Sequence, residues 1–260
     1  MAQRRFHFGK NWQSYAAKAL TPARIRQAVA AFERLFDGIE LEGRSFLDIG
    51  FGQGLTAAIA AIKGCDVLAM DIDPDNLQAL ELTKKAFRLE RDIKTQIASI
   101  LDDSFVAGWK GHFDVVHSWG VLHHTGDMNT AIANACQMVK KGGYLVLAIY
   151  NRHWSCPFWK AIKYVYNLCP SPIQTMMVLV FYPVVYTAKY LVTGKNPREK
   201  DRGMDFYHDL VDWIGGYPYQ YASVEEVCQM IEGWGFRCIR VRPASVPTGC
   251  NEYVFFKDQG

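Results

Sequence analysis

Apolar residues recur along the chain at two alternating spacings, and the alternation predicts an α/β fold. Short apolar runs predict buried strands over residues 45–49, 66–70, 95–101, 113–118 and 144–150. Apolar residues at helical spacing predict helices over residues 22–37, 55–62, 74–89 and 130–139. Strands that alternate with helices form parallel sheets covered on both faces, so we predict a doubly wound, mostly parallel sheet.

Local signals support the ends of two of these helices. Thr21 is a favourable N-cap, and Pro22 follows in the first turn. Residues 140–143 read Lys-Lys-Gly-Gly, which is typical of a helix C-terminus. The sequence therefore predicts that the fourth helix closes there before the fifth strand.

The alternation stops after the fifth strand and resumes near the C-terminus. Residues 151–222 show no clear strand pattern and many aromatic residues, which predicts a helical, aromatic-rich insertion. A helix at 223–234 then precedes strands at 236–241 and 253–257 with no helix between them. We therefore predict that these two strands form an antiparallel pair at one edge of the sheet, which then has seven strands in all. We divide the chain into an N-terminal helical lid, a core, the insertion and a core completion, at 1–43, 44–150, 151–222 and 223–260.

The amino-acid composition excludes some classes of partner and site but does not identify the function. The 260 residues suit one large domain or a domain with an insertion, and the net charge of +3 gives no reason to expect a nucleic-acid partner. The seven cysteines are odd in number, scattered and without a C-x-x-C pair, so we expect neither disulfides nor a metal site. The N-terminus lacks the apolar stretch of a secretory signal, and a cytoplasmic location is expected.

A glycine-rich loop links the first predicted strand to the next helix. Gly50, Gly52 and Gly54 leave room for backbone amides to approach a ligand. A dinucleotide-binding pattern would need glycine at position 55, and Leu55 speaks against a nicotinamide-dependent dehydrogenase. Asp71 ends the second strand, where a carboxylate can bind the two hydroxyls of a ribose.

Together these features resemble the class I S-adenosylmethionine-dependent methyltransferases over residues 44–150 and the closing strands. The resemblance implies S-adenosylmethionine as the cofactor. The glycine loop would pass under its methionine portion, and Asp48 would orient the loop or the amino group. Asp71 would bind the ribose, and Ile72 would pack on the adenine.

Two further segments match the cofactor-binding stretches of that class. Residues 99–102 match the stretch that meets the adenine edge, but Ser99 replaces the usual acid, so Asp102 is the candidate for that part. Residues 118–124 match the segment that lines the methyl-transfer pocket, which makes Ser118 and Trp119 candidate contacts. Trp12, Tyr15 and Trp119 are candidates to close over the cofactor or acceptor, with core packing as the alternative.

A narrower resemblance covers most of the chain. Its sequence blocks lie at residues 8–12, 118–126, 202–204, 212–218 and 249–252. They resemble a bacterial methyltransferase group that is labelled by similarity to the ubiquinone-pathway O-methyltransferases. The glycine-rich block at 212–218 predicts a shaped loop over the acceptor. The candidate acceptor-binding residues in these blocks are Arg202, Met204, Asp212, Trp213, Tyr217 and Asn251.

Methyl transfer from a sulfonium is an in-line displacement, and a hydroxyl acceptor must also lose a proton. His123 and His124 follow the fourth strand and are candidate bases, with His208 beside Asp209 as a rival. Helix capping or surface exposure is the alternative for the pair. We predict O-methylation of a small molecule. The alternatives are N- or C-methylation of a metabolite, glycan or lipid-linked acceptor, or a non-catalytic S-adenosylmethionine-binding regulatory module.

The segment 173–192 is mostly apolar and long enough to approach a membrane-spanning length. Gln174, Pro183 and Lys189 interrupt it, and several aromatic residues give it an interfacial character. A helix that packs on the domain and shapes an apolar acceptor pocket is favoured over a membrane span. Peripheral contact with a membrane, suited to a lipid-linked or quinone-like acceptor, is the third reading.

Overall fold

The computed structural model describes residues 6–198 and 201–259, so residues 1–5 of the predicted lid, 199–200 of the insertion and Gly260 lie outside it. The strands are β1 Ser45–Ile49, β2 Asp66–Asp71, β3 Lys94–Ile97, β4 Phe113–Trp119, β5 Val139–Tyr150, β6 Phe236–Arg242 and β7 Cys250–Lys257. The helices are α1 Gly9–Lys18, α2 Pro22–Leu35, α3 Leu55–Ile62, α4 Asn76–Phe87, α5 Asp103–Gly108, α6 Met128–Met138, α7 Cys156–Leu168, α8 Ser171–Thr193, α9 Phe206–Gly215 and α10 Val224–Glu232.

The seven strands form one sheet in the order β3-β2-β1-β4-β5-β7-β6. The first five strands pair in parallel, and β7 lies antiparallel between β5 and β6. The predicted doubly wound, mostly parallel sheet with an antiparallel edge pair is therefore confirmed. The order reverses between β1 and β4, and ligands of open α/β sheets bind at the carboxyl ends of strands beside such a reversal.

Apolar side chains cover both faces of the sheet. One buried cluster joins the sheet to α6 and α10 and includes Val116, Leu145 and Val227. The other joins it to α2 and α3, where the small side chains of α3 allow the helix to lie close to the strands. This double cover fixes the strand ends and so fixes the loops that follow them.

Two predicted boundaries are wrong because tertiary contacts override local signals. Residues 140–143 lie inside β5 rather than at the end of α6, which stops at Met138. Lys140 Nζ pairs with Asp114 Oδ2 of the neighbouring strand at 3.1 Å, and this holds the segment against β4. The third strand ends at Ile97 instead of 101, since Ser99 Oγ accepts a hydrogen bond from the Leu101 amide and turns the chain.

The insertion consists of α7, α8, a short 3₁₀ turn at Asp201–Gly203 and α9. The three α-helices share a small apolar cluster that includes Tyr166, Val178 and Phe206. The predicted loop at 212–218 is only partly a loop. Its first four residues form the last turn of α9, which begins at the N-cap Asp205, and the glycines mark the end of that helix.

Candidate cofactor and acceptor site

The loop between β1 and α3 requires glycine at each of its three glycine positions. Gly50, Gly52 and Gly54 have positive φ angles of 70°, 52° and 79°, a region that side chains disfavour. The Gly50 amide donates a hydrogen bond to the Met70 carbonyl at 2.7 Å. A methyl group on Gly50 would also lie 2.5 Å from a side-chain carbon of Val121. The loop therefore adjoins both the end of β2 and the segment after β4.

Asp71 joins this loop to the end of β2, as its predicted role requires. Its Oδ2 accepts a hydrogen bond from the Gly52 amide at 3.0 Å, and its Oδ1 accepts one from the Asp73 amide at 2.9 Å. Burial raises the pKa of this carboxyl, although the two amide donors oppose the shift. Ile72 follows with half of its side chain exposed. The assignment of these two residues to the ribose and the adenine stays a prediction.

Asp48 and Ser118 are buried and face partners within the sheet. Asp48 Oδ1 lies 2.7 Å from His117 Nδ1, and both side chains are nearly inaccessible. The Ser118 hydroxyl donates a hydrogen bond to the Ile49 carbonyl at 3.2 Å. The structure thus gives Asp48 a partner on β4, where the sequence predicted a contact with the glycine loop or the cofactor.

Ser99 and Asp102 form the turn between β3 and α5. Asp102 caps α5, because its carboxylate accepts hydrogen bonds from the amides of Ser104 at 2.9 Å and Phe105 at 3.4 Å. The hydroxyl of Ser104 adds a third donor, and together these donors lower the pKa of the Asp102 carboxyl. Their assignment to the adenine edge stays a prediction.

Helix α1 covers the glycine loop. A methyl group on Gly52 would lie 3.1 Å from Trp12 Nε1, so the indole lies against the loop, and its predicted contact with the cofactor stays a prediction. The Gly9 amide donates a hydrogen bond to Asp73 Oδ2 at 3.0 Å and fixes the start of the helix beside β2. Tyr15 is fully buried and donates to the Gly203 carbonyl at 2.5 Å, which favours core packing for this residue.

The block at 202–204 lies on the cofactor side of the molecule. The guanidinium of Arg202 stacks over Trp119 at 3.6 Å from the ring centroid, and Trp119 Nε1 donates to Glu252 Oε1 at 2.8 Å. Burial lowers the pKa of Arg202 to about 10. Gln53 of the glycine loop lies 3.8 Å from the Met204 sulfur through its Nε2. Arg202 thus contacts the end of β4 and Met204 the glycine loop, and their predicted role in binding the acceptor stays a prediction.

His123 and His124 form a short 3₁₀ turn after β4 and lie with their rings 4.5 Å apart. His123 Nδ1 accepts a hydrogen bond from the Tyr150 amide at 3.3 Å, which assigns its proton to Nε2. That Nε2 is buried and has no hydrogen-bond partner among the described residues. His124 Nδ1 donates to the Pro218 carbonyl at 2.6 Å, which leaves the lone pair on Nε2.

Burial sets the charge of both rings. It lowers the pKa of His123 well below its ordinary value and that of His124 to about 3, and the positive charge of Lys163 adds to both shifts. The two imidazoles are therefore neutral at physiological pH. They are available to donate and accept hydrogen bonds, but each is a weaker proton acceptor than an ordinary histidine.

Lys163 is the residue that the sequence reasoning missed. It lies on α7 with 1% of its side chain exposed, and its Nζ is surrounded by the rings of Tyr219, Trp213 and Tyr150 at 4.8, 5.0 and 5.7 Å. Within the described part of the chain this amine has no hydrogen-bond partner. Burial lowers its pKa to about 7. A signal was present, because Lys163 occupies the same helical face as the buried Cys156 and Tyr166.

The block at 212–218 also adjoins this cluster. Asp212 accepts a hydrogen bond from Asn11 Nδ2 at 2.7 Å, and burial raises its pKa well above the ordinary range. Trp213 packs on Trp159 with ring centroids 4.5 Å apart and forms one wall around Lys163. Tyr217 packs on the ring of Tyr164 at the outer side of α7.

Two candidates are held by structural contacts. His208 Nδ1 lies 2.8 Å from Asp205 Oδ2 and its Nε2 lies 3.3 Å from the Ser14 hydroxyl, so both ring nitrogens are engaged. Its neighbour Asp209 pairs with Lys189. Asn251 is buried, and its amide bonds to the Ala244 amide and Asn151 fix the loop before β7. The predicted roles of His208 as a base and of Asn251 as an acceptor contact stay predictions.

The described residues bring together no group of three or more histidine, cysteine, aspartate or glutamate side chains that could hold a metal ion. The site thus combines a glycine loop with the buried carboxyl of Asp71 on one side. On its other side lies an aromatic cluster of Tyr150, Trp213 and Tyr219 around a buried amine, with neutral histidines next to it. This combination of fold and site defines a class I S-adenosylmethionine-dependent methyltransferase.

The chain belongs to the methyltransferase domain family, whose pattern matches residues 20–241. It is 32% identical over 114 residues to a ubiquinone biosynthesis O-methyltransferase of Psychrobacter arcticus, covering 44% of this chain and 43% of that protein. The protein of the same name from Brucella ovis is 35% identical over 112 residues, which are 43% of each chain. The chain thus matches less than half the length of these two curated relatives.

Solved structures share the fold at low sequence identity. An O-methyltransferase family protein from Burkholderia thailandensis superposes with a TM-score of 0.58 at 14% identity, over 92% of this chain and 58% of that one. Magnesium protoporphyrin IX methyltransferase from Synechocystis, solved with bound S-adenosylhomocysteine, gives 0.56 at 13% identity over 93% and 86%. The predicted cofactor, S-adenosylmethionine, and the predicted enzyme class are confirmed by the family.

Proposed function

We propose that this chain transfers the methyl group of S-adenosylmethionine to an oxygen atom of a small-molecule acceptor. The observation that carries the proposal is the continuity between the two halves of the site. Val121 contacts the glycine loop, and His123 and His124 follow within three residues and pack against the ring of Tyr150 in the aromatic cluster. An acceptor bound beside this cluster would therefore lie next to the cofactor's reactive end, as an in-line displacement requires.

The cofactor supplies an electrophilic methyl group, and the residues of this chain supply binding, orientation and exclusion of water. Asp71 and the amide of Gly52 suit the nucleoside half. Trp12 covers the loop from the solvent side. Tyr150, Trp213 and Tyr219 enclose the acceptor half with apolar surface, which favours a flat or apolar acceptor over a strongly hydrated one.

Neutral imidazoles favour oxygen as the methylated atom. His123 Nε2 is a hydrogen-bond donor and His124 Nε2 an acceptor, so the pair can orient a hydroxyl through both of its functions. The curated relatives are also named as O-methyltransferases. Methylation at nitrogen or carbon, and binding of the cofactor without turnover, remain the alternatives that the assay must separate.

The test combines calorimetry with turnover. We expect the protein to bind S-adenosylmethionine and to release S-adenosylhomocysteine only when an acceptor is added. A panel of phenols, aliphatic alcohols, carboxylic acids and amines of similar size gives the class of acceptor. Turnover with hydroxyl compounds but not with the matched amines supports O-methylation. Cofactor binding without turnover on any member of the panel would favour the regulatory module instead.

A further inference from the structure

The amine of Lys163 is buried without a direct polar contact among the described residues. Three aromatic rings face its Nζ, and no hydrogen-bond acceptor among the described residues lies within bonding distance. Ring faces attract an ammonium ion but replace little of its hydration, so the burial is costly. An apolar side chain would fill this space more cheaply. A role in binding or proton transfer explains the amine better than packing does.

The position of this amine matches the acceptor half of the site. Tyr150, whose ring it faces, ends β5, and the amide of Tyr150 donates to His123. The buried carboxyl of Asp212 and the thiols of Cys156 and Cys250 lie near Lys163. The amine therefore lies among groups from β5, α7 and α9, at the point where the sheet end meets the insertion.

We propose that Lys163 is the catalytic residue that accepts the proton of an acidic acceptor hydroxyl, of the phenol class. This inference rests on the proposed O-methylation and names its base and acceptor class. The pKa of about 7 places the amine near physiological pH, where a general base works best, and both histidines fall far below it. A phenol ionises near pH 10, as tyrosine does, and is within reach of such a base, while an aliphatic alcohol is not.

The proton and electron pairs balance in this step. The neutral Lys163 amine accepts the acceptor's proton on its lone pair and becomes an ammonium. The electron pair of the O–H bond stays on the oxygen, and an oxygen lone pair forms the new O–C bond. The S–C bond of the donor breaks, and its electrons remain on sulfur. The ammonium then returns its proton to water. The Nε2–H group of His123 would donate a hydrogen bond to the acceptor oxygen while that oxygen carries a negative charge.

Replacement of Lys163 by methionine tests the proposal, with Lys160→Met as a control on the exposed side of the same helix. With the best phenol of the panel, we expect Lys163→Met to lower kcat by about a hundredfold or more, as loss of a general base does. Cofactor affinity by calorimetry and the melting temperature should not fall. Lys160→Met should behave as wild type. A kcat within threefold of wild type for Lys163→Met would overturn the assignment.

A probe tests the site independently of turnover. The phenolate of 4-nitrophenol absorbs visible light, so we expect the wild-type protein to bind this probe at pH 6 and raise its phenolate band. Lys163→Met should lose that band at least tenfold. Equal bands in the two proteins, or no binding by wild type, would overturn the proposal. If wild type binds the probe through Lys163 but turns over no acceptor, the proposed function fails while the proton-binding role of Lys163 stands.

A second and independent observation concerns the outer surface of the insertion. Helix α8 is long and apolar enough to cross a membrane, yet only 6% of its apolar 18-residue stretch is buried. Its inner side packs through Val178 and Val185, whereas the opposite side leaves Leu179, Val180 and Leu191 exposed by 65%, 60% and 75%. A helix that is apolar on all sides is normally covered on all sides.

Helix α7 carries a similar row of exposed apolar side chains. Phe158, Val165 and Leu168 repeat at helical spacing on α7, and all three are exposed, as is Trp154 just before the helix. An apolar surface of this size on two successive helices marks an interaction site. The buried side of α8 packs on α9, so the helix lies against the domain and is not positioned to span a bilayer.

The charge of this segment indicates its partner. Residues 151–198 contain no aspartate or glutamate, and they contain Arg152, Lys160, Lys163, Lys189, Lys195 and Arg198. Lys195 and Arg198 are exposed just beyond the C-terminal end of α8. We infer that the outer surface of α7 and α8 docks on an anionic lipid bilayer, with apolar side chains in the interface and basic side chains among the headgroups. A second copy would bring like charges together.

Vesicle flotation tests this docking surface. We expect wild-type protein to float with phosphatidylcholine vesicles that contain phosphatidylglycerol, and less so in high salt. The double variant Val180→Glu with Val184→Glu should reduce the bound fraction at least tenfold, while Ile62→Glu, an exposed apolar residue on α3, should not. Absence of flotation at low salt would overturn the inference. So would equal flotation of the double variant, or a wild-type dimer that this variant dissociates without any vesicle binding.

Discussion

Replacement of Asp71 by alanine is expected to weaken binding of S-adenosylmethionine by about a hundredfold. Hydrogen bonds to a charged group contribute about 1.5–3 kcal/mol, and 1.4 kcal/mol corresponds to a tenfold change in affinity. The carboxylate also holds the Gly52 amide, so its loss would loosen the glycine loop as well. Calorimetric titration of the purified variants with the cofactor measures the effect directly.

Asp66→Ala provides the control, since Asp66 begins the same strand and is exposed at its far end. It should bind the cofactor as wild type does. The pH dependence gives a second check. Burial raises the pKa of Asp71, so cofactor binding through its carboxylate should weaken on acidification at a higher pH than an ordinary aspartate would cause. Wild-type affinity in Asp71→Ala would refute the ribose assignment.

Replacement of Gly54 by alanine is expected to destabilise the fold by about 2–5 kcal/mol, from backbone strain of about 1–2 kcal/mol and overpacking of about 1–3 kcal/mol. The residue has a φ of 79°, and a methyl group here would lie 2.3 Å from a side-chain carbon of Leu80 and 3.3 Å from its Cα. Leu80 is 1% exposed and cannot move into solvent. Urea unfolding of the two proteins gives the difference in free energy of unfolding.

Gly111→Ala separates the two causes. Gly111 has a φ of 62° but no heavy atom within 4 Å of an added methyl group, so it carries the strain without the collision. We expect this variant to lose only the conformational part, about 1–2 kcal/mol. Equal losses at the two positions would mean that the contact with Leu80 contributes nothing to the requirement for glycine.

The core of the fold was predictable because its signals are local. The strands around Phe46 and Val67 are short apolar runs, and the glycines at 50, 52 and 54 lie between one such run and a helix. Asp71 stands where a strand ends, so its place beside the loop followed from the parallel sheet itself. The boundaries at 97 and 138 did not follow, since contacts of Ser99 and Lys140 decide them.

The acceptor half of the site was predictable only in part. Residues distant in the chain meet there, such as Asn11 with Asp212 and Tyr150 with Lys163, and no periodicity encodes such meetings. The sequence predicts the paired histidines as candidate bases, whereas a lysine within a helix is usually exposed to solvent. Its position on an apolar helical face was the available signal. The tautomers and depressed pKa values of the histidines emerged only with their partners.

Helix α1 contacts both halves of the site at once. Trp12 covers Gly52, and one residue earlier Asn11 donates hydrogen bonds to the His208 carbonyl and the Asp212 carboxylate of α9. A displacement of this helix that admits the cofactor would therefore disturb α9, which carries Trp213 of the aromatic cluster. Occupancy of the two half-sites should share a coupling free energy. By thermodynamic reciprocity, an acceptor should raise cofactor affinity by the same factor as the cofactor raises acceptor affinity.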